Sequence, residues 1–542
     1  MTTACMTYRQ HLGHRILFLI LCLFVVCLSA TAQRRQANDQ KVYLDHADQL
    51  MYDQYKKPNI QIVKGNVAFR HAGTTLRCDS AYFNERDNTF EAFGHVRMNQ
   101  SDTLTLTSDY AWYDGRPERE MVFARKNVVV THRKTSVLKT DSLNYDRKFN
   151  YVFYAEGGHY HDSKKNVDLV SDWGRYNLDT REASAYFNVT LKSPDYEIRT
   201  DTLYYDDRLG RAQVVSPSTI YSNKDGYQII SSNGYYFMDG DRTEMFDRSR
   251  IENAARSVVG DSLYYDSATK ISRGYGNVVY VDKRNKNELH ADFFTYDEKT
   301  GAGVATQNAM FIDYSQKDTL YLHADTMRVK TFHIDTDSVY REVYCYNKVR
   351  AYRRDVQAVC DSMVICSRDS SLTMYVDPIM WNGGRQLLGN QILVYMNDST
   401  VREAHVMGNA LSVELMSDSK HYNQVASKIM HSFFDDGGHL RRNEAEGNVM
   451  VVYYPMDDSD STLIGLNYTE TDTMRMYISP ERKLEKIWMA KAEGTLYPMT
   501  QIPPGQEHLP QFAWYDDIRP VSKDDIFVWR GKNSSKGAKA AK

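Results

Sequence analysis

The feature that most constrains this chain is a phrase that it repeats. Residues 199–207 read "RTDTLYYDD"; "CDSAYFNE" begins at Cys78, "SDYAWYDG" at Ser108, "TDSLNYDR" at Thr140, "GDSLYYDS" at Gly260 and "ADFFTYDE" at Ala291. The aspartate of the phrase stands at Asp48, Asp79, Asp109, Asp141, Asp172 and Asp201, becomes Asn233, and returns at Asp261, Asp292, Asp325 and Asp361. The step is about 31 residues, a period that belongs to stacked supersecondary units. A second phrase keeps the same beat: Asn66 in "KGNVAF", His95 in "FGHVRM", Asn127 in "RKNVVV", Asn188 in "YFNVTL", Asn277 in "YGNVVY", Lys348 in "YNKVRA", Asn409 in "MGNALS" and Asn448 in "EGNVMV". With degenerate copies at His159, Thr219, Arg250, Asn308, Pro378 and Thr495, the chain holds about 14 units.

Within a unit the apolar residues alternate. Leu203 and Tyr205 share one face and Thr202, Tyr204 and Asp206 the other; Val67 with Phe69, Val128 with Val130, and Val189 with Leu191 repeat the pattern. Period two means half-buried strands, and "YDGRPERE", "YDDRLG" and "VDKRNKNE" between them are turn chemistry. Each unit is thus two strands, one through each phrase, with glycine marking a bend. Such a unit cannot bury its apolar face alone, so neighbours stack into facing sheets. The expected fold is all-β: an elongated, repeat-built solenoid of two-stranded units, roughly 65 Å long at about 4.8 Å per layer. The repeated aspartates and asparagines are expected to form hydrogen-bonded ladders at the bends.

Composition narrows the function classes. The 67 lysines and arginines against 70 acids leave a net charge of -3, which gives no electrostatic case for nucleic acid. Hydrophobic residues make up 42%, too many for a disordered chain, and the 40 tyrosines fit pleated, half-buried surfaces. Arg9 and Arg15 precede the run "ILFLILCLFVVCLSA" and the small-residue site Ala30–Ala32. Residues 1–32 therefore read as a secretory signal, predicting export and cleavage before Gln33. Cys22 and Cys27 follow large residues, against a lipoprotein site. Cys78, Cys345, Cys360 and Cys366 remain in the mature chain, at spacings foreign to zinc. Cys345 is close enough in sequence to bridge to either of the last two, and sequence does not choose. The organisation expected is repeats over 33–310, further repeats with insertions over 311–497, and a linker, cap and lysine-rich tail over 498–542.

The units resemble the OstA-like repeat of periplasmic lipopolysaccharide-transport proteins, the LptA-like family. The resemblance is clearest in "GNVAFRHAGTTLRCDSAYFNERDNTFEAFGHV" from Gly65 and "DTLTLTSDYAWYDGRPEREMVFARKNV" from Asp102, and covers residues 42–497. It implies a slightly open β-jellyroll, a folded-taco shape, whose interior takes the acyl chains of lipid A. It also implies similar jellyrolls docking end to end, homo-oligomers among them, as a bridge across the periplasm towards the outer membrane, and no cofactor. The array leaves only about 45 residues after it, too few for a barrel at about 10 residues per strand. A soluble bridge is therefore expected rather than a translocon.

On this reading the groove is lined by Val67, Phe69, Val96, Met98, Val128, Val130, Val189, Leu191, Val278 and Tyr280, with Leu143, Leu203 and Leu263 on the other sheet. Arg70, Arg125, Lys126, Lys192 and Arg350 are the candidate phosphate contacts at its mouth. The alternatives are a closed, non-catalytic solenoid scaffold or a carbohydrate-binding envelope protein. Catalysis finds no support: the acids recur with the repeat, and His159 with His161 in "GHYH" lacks a third metal ligand in the sequence. The edges of the first and last units, near Val42–Tyr52 and Trp488–Leu496, are the expected docking sites.

Overall fold

The computed structural model describes residues 41–536 except 56, 225, 239, 241, 398–399, 458–461 and 482–483. The expected signal segment, residues 1–32, and the end of the lysine-rich tail lie outside the described residues. The fold is all-β: 38 strands and a few single 3-10 turns, among the described residues, with every described strand pairing antiparallel. No helix among them is long and apolar enough to cross a membrane. The chain forms two compact units, Met1–Asp239 and Gly240–Lys542.

Each full strand turns a corner. Gln61–His71 pairs with Thr74–Asn84, and the register slips between Lys64 and Val67; Thr74–Asn84 pairs with Thr89–Gln100, with a slip between Arg77 and Ser80. The slips fall at the two repeated phrases, so both lie at one corner. A strand therefore contributes to two arms: residues such as Met121–Arg125 and Leu143–Asp146 to a first arm, and Val128–His132 with Ser136–Thr140 to a second. Leu143 accordingly sits on the arm opposite Val128 and Val130, though one strand serves both.

The corner is held by the predicted ladder. Asn127 donates to Asp109 at 2.7 Å, Asn188 to Asp172 at 2.6 Å, Asn277 to Asp261 at 3.0 Å and Asn308 to Asp292 at 2.7 Å; His95 meets Asp79 at 2.7 Å. The same link appears in both units. The asparagine occupies the left-handed region, with φ +51° at Asn127 and +46° at Asn277, where its short polar side chain is tolerated. Where glycine precedes it, as at Gly65 and Gly276, φ is +77° and +68°, and a β-carbon would strike the aspartate carboxylate. Glycine is there for close approach as well as backbone freedom.

In the second unit the segment after Met499 crosses back over the outside of the second arm. Three outward glutamines hold it. Gln424 donates to the Glu507 carbonyl and accepts from the Leu509 amide, both at 2.9 Å. Gln386 does the same for Ala513 at 2.9 Å and Tyr515 at 2.8 Å, and Gln357 accepts from Arg519 at 2.6 Å. Leu509, Phe512, Trp514 and Ile518 thereby cover Trp381, Leu411, Val413 and Leu466. The segment is a strap along an outer face, not a plug on the last unit's edge. Cys78, Cys345, Cys360 and Cys366 are free thiols; Val349 lies opposite Cys360 and Met363 opposite Cys345.

Two stability predictions follow from these contacts. Asn127→Val should cost about 1–2 kcal/mol by denaturant unfolding, and Asn127→Gly much less. Gln386→Ala, which strands two buried backbone groups, should cost about 1–3 kcal/mol and open the chain to limited proteolysis near residue 502.

Candidate functional site

Whether the two arms enclose a solid core or a groove is decided by their inward residues. In the first unit they are buried to the tips. Val67, Phe69, Val96, Met98, Val128, Val130, Leu143, Val189, Leu191 and Leu203 are all 3% exposed or less. A cavity lined by Val130, Leu138, Tyr160 and Tyr176 holds about 30 Å³, room for a water but not for an acyl chain.

Polar side chains close the mouth of this unit. Tyr113 at the tip of the first arm meets His71 at the tip of the second, and Arg147 joins them, donating to Thr74 at 3.0 Å. Tyr145 reaches across to Gln100. Asp207 receives Arg181 at 2.7 and 3.0 Å and Tyr176 at 3.3 Å, with Lys165 at 3.7 Å. Burial pushes the Tyr113 and Tyr145 hydroxyls up to about 12, so both stay donors. Burial opposes ionisation of Asp207, but Arg181, Asp162 and Lys165 together hold the carboxyl below its usual range; burial pushes neighbouring Asp162 upward.

The second unit differs. Near the corner its inward positions are buried, with Leu263 at 2%, Val278 at 1% and Ala291 at 5%. Towards the tips Val258, Tyr265, Tyr280, Leu289, Phe294 and Phe311 are only half-buried. Tyr280 stacks on Phe294 of the opposite arm, ring centroids 6.1 Å apart. The interior here is an apolar trough with a buried floor and half-exposed walls. Its wall includes Tyr280, whose hydroxyl is raised first by burial, with Arg256 and Arg341 acting against that. Both arginines share the inward face of their strands, with Val258 and Val343, and neither makes an ion pair among the described residues.

None of the five predicted phosphate contacts faces the interior. Arg70, Lys192 and Arg350 each follow an inward residue, and Arg125 follows inward Ala124, so the pleat points them outward. Arg70 pairs with Asp45 at 3.1 Å, Arg125 donates to Asn144 at 3.0 Å, Lys126 is exposed at the corner, and Lys192 lies 3.8 Å from Glu197. Arg350 is buried beneath the strap, donating to the Ile526 carbonyl with Trp529 over it, and burial brings it down to about 10. Alternation counted from the Gly-Asn corner would have found Arg256 and Arg341 instead. His159 and His161 both contact Asp168 Oδ1, at 2.6 and 3.0 Å, on an exposed face, and no group of metal-ligating side chains occurs among the described residues.

Residues 39–201 match the family model of the OstA-like protein. That stretch is OstA-like. No curated protein matches it. The OstA-like match lies in the first unit, while the corner pairs Asn277–Asp261 and Asn308–Asp292 repeat its geometry beyond the matched residues.

Arg181→Met should cost about 3 kcal/mol at neutral pH, because it leaves Asp207 buried with its charge poorly paired. Since the folded Asp207 value is lowered, the stability it brings is present above the ordinary carboxylate range and lost as pH falls through the folded value. The deficit in thermal midpoint should therefore shrink in acid, where Asp207 is protonated in both proteins.

Proposed function

We propose that this chain is an exported, non-enzymatic envelope protein that binds lipopolysaccharide through its acyl chains and passes it towards the outer membrane. The observation that carries the reading is the trough of the second unit, with Leu289, Phe294 and Phe311 half-exposed above a buried floor. An acyl chain laid there gains about 0.8 kcal/mol per methylene, and apolar contact, being non-directional, lets it slide. Arg256 and Arg341 at the tips suit the phosphates of a lipid A headgroup. The OstA-like match, a family tied to lipopolysaccharide transport, supports the same class of cargo.

Docking between jellyrolls belongs to the same proposal. The strand Gln49–Tyr52 is exposed throughout, with Leu50 at 58% and Met51 at 59%. The strands Leu484–Ala490 and Glu493–Pro498 expose Trp488 at 46% and Leu496 at 54%. Apolar edges of this kind favour strand addition by a like partner.

The mature chain, purified gently from its own envelope, should begin at Gln33 and yield an acylated glycolipid in organic extracts by mass spectrometry. Tyr280→Asp with Leu289→Asp should remove the lipid while the unfolding midpoint holds. No bound glycolipid, and no uptake of added lipopolysaccharide, would leave a closed scaffold as the better account.

A further inference from the structure

The outer face of the first arm, in the first unit, carries a row of side chains that neither the core nor the trough uses. Cross-strand register leads directly from Tyr82 through Trp112, Phe123 and Phe153 to Tyr204 and Tyr235. That is about ten strand steps, on the order of 48 Å. The rings are half-buried, and Tyr204 is 37% exposed. Neighbouring rings touch, Trp112 with Phe123 at 4.8 Å and Tyr186 with Tyr204 at 6.3 Å. Between them the same row presents Glu91 at its Tyr82 end, then Asn144, Ser184 and Gln213.

Aromatic pairs across strands stabilise a sheet on their own account. Two observations go further. Arg175 stands within the row and Arg211 beside it, and neither makes an ion pair among the described residues; Arg125, also beside it, is held by the Ala124 and Leu143 carbonyls and by Asn144. And the row, flanked over part of its length by the rings of Phe93, Tyr110, Trp173 and Tyr186, is far longer than it is wide, a shape that suits a linear polymer. Tyrosine and tryptophan offer an apolar face with a polar rim, which is what the C–H face and hydroxyl edge of a sugar ring require. The amides of Asn144 and Gln213 can meet hydroxyls, and guanidinium forks match carboxylate or phosphate.

We propose that this face binds an acidic polysaccharide, its sugar rings stacked along the aromatic row and its anionic groups on Arg175 and Arg211. The proposal is independent of the lipid trough. Affinity electrophoresis of the mature chain in gels containing a polyuronate, a phosphate-bearing polysaccharide, a sulfated polysaccharide or neutral dextran tests it. At least one acidic polymer should retard the chain several-fold more than dextran. Trp112→Ala with Phe153→Ala and Tyr204→Ala should abolish the retardation, with Tyr204→Ser alone as the milder variant if the triple change unfolds the sheet. Arg175→Gln with Arg211→Gln should erase the preference for acidic over neutral polymer at an unchanged unfolding midpoint. Retardation by none of the acidic polymers, retardation that survives the aromatic changes in a folded protein, or tighter binding of a single-stranded oligonucleotide would overturn it.

Discussion

Everything in this protein hangs on one contact, the corner asparagine donating to the aspartate of the preceding strand. It does two things at once. It caps an unfavourable left-handed turn with a local hydrogen bond, and it fixes where along each strand the bend occurs. Because a one-residue slip would turn every side chain to the other face, a bend fixed at the same place in successive strands keeps all inward residues in one column. The arms are a consequence of that alignment, and so are the outer faces.

With the bend fixed, the difference between a solid core and a trough lies in residues far from it. In the first unit the tips carry tyrosine, histidine and arginine that reach across and bond one another, and the interior shuts. In the strands Arg256–Asp266, Ile271–Asp282 and Asn287–Asp297 the corner is unchanged and Tyr265 keeps the tyrosine of the first arm's tip, but the opposite tip holds Arg256, Val258, Tyr280 and Leu289 in place of the bonded partners. The apolar walls stay half-exposed. One backbone plan thus yields a closed body and a half-open trough through side-chain choice at the tips.

Much of this could be read from the chain. The beat, the strand pairs, the inward alternation and the structural role of the aspartates and asparagines follow from period and pleat. The placement of the cations did not, although the pleat decides it too: a residue next to an inward apolar side chain points out, so Arg70 after Phe69, Lys192 after Leu191 and Arg350 after Val349 lie away from a groove mouth. The strap could not be foreseen, because Gln357, Gln386 and Gln424 look like ordinary outward polar residues until a segment over a hundred positions away in the chain, in the case of Gln386, supplies their partners. The closure of the first unit also depends on pairs such as His71 with Tyr113, which periodicity within a repeat does not connect.

The two outer faces show why the tyrosine excess has to be explained by position and not by composition. In the second unit the outer surface of the second arm is apolar, with Trp381, Leu411 and Val413, and the chain covers it with its own strap. On the outer first arm of the first unit the aromatic row lies half-exposed with guanidinium groups set among the rings. A face meant only to be buried would have been built from aliphatic residues, as the second arm's largely is. A face meant only to be wet would have had little need of rings aligned across so many strands. An amphipathic row, apolar in its rings and polar in its rim, is the arrangement that gains from a partner carrying both kinds of surface, and a chain of charged sugars carries both.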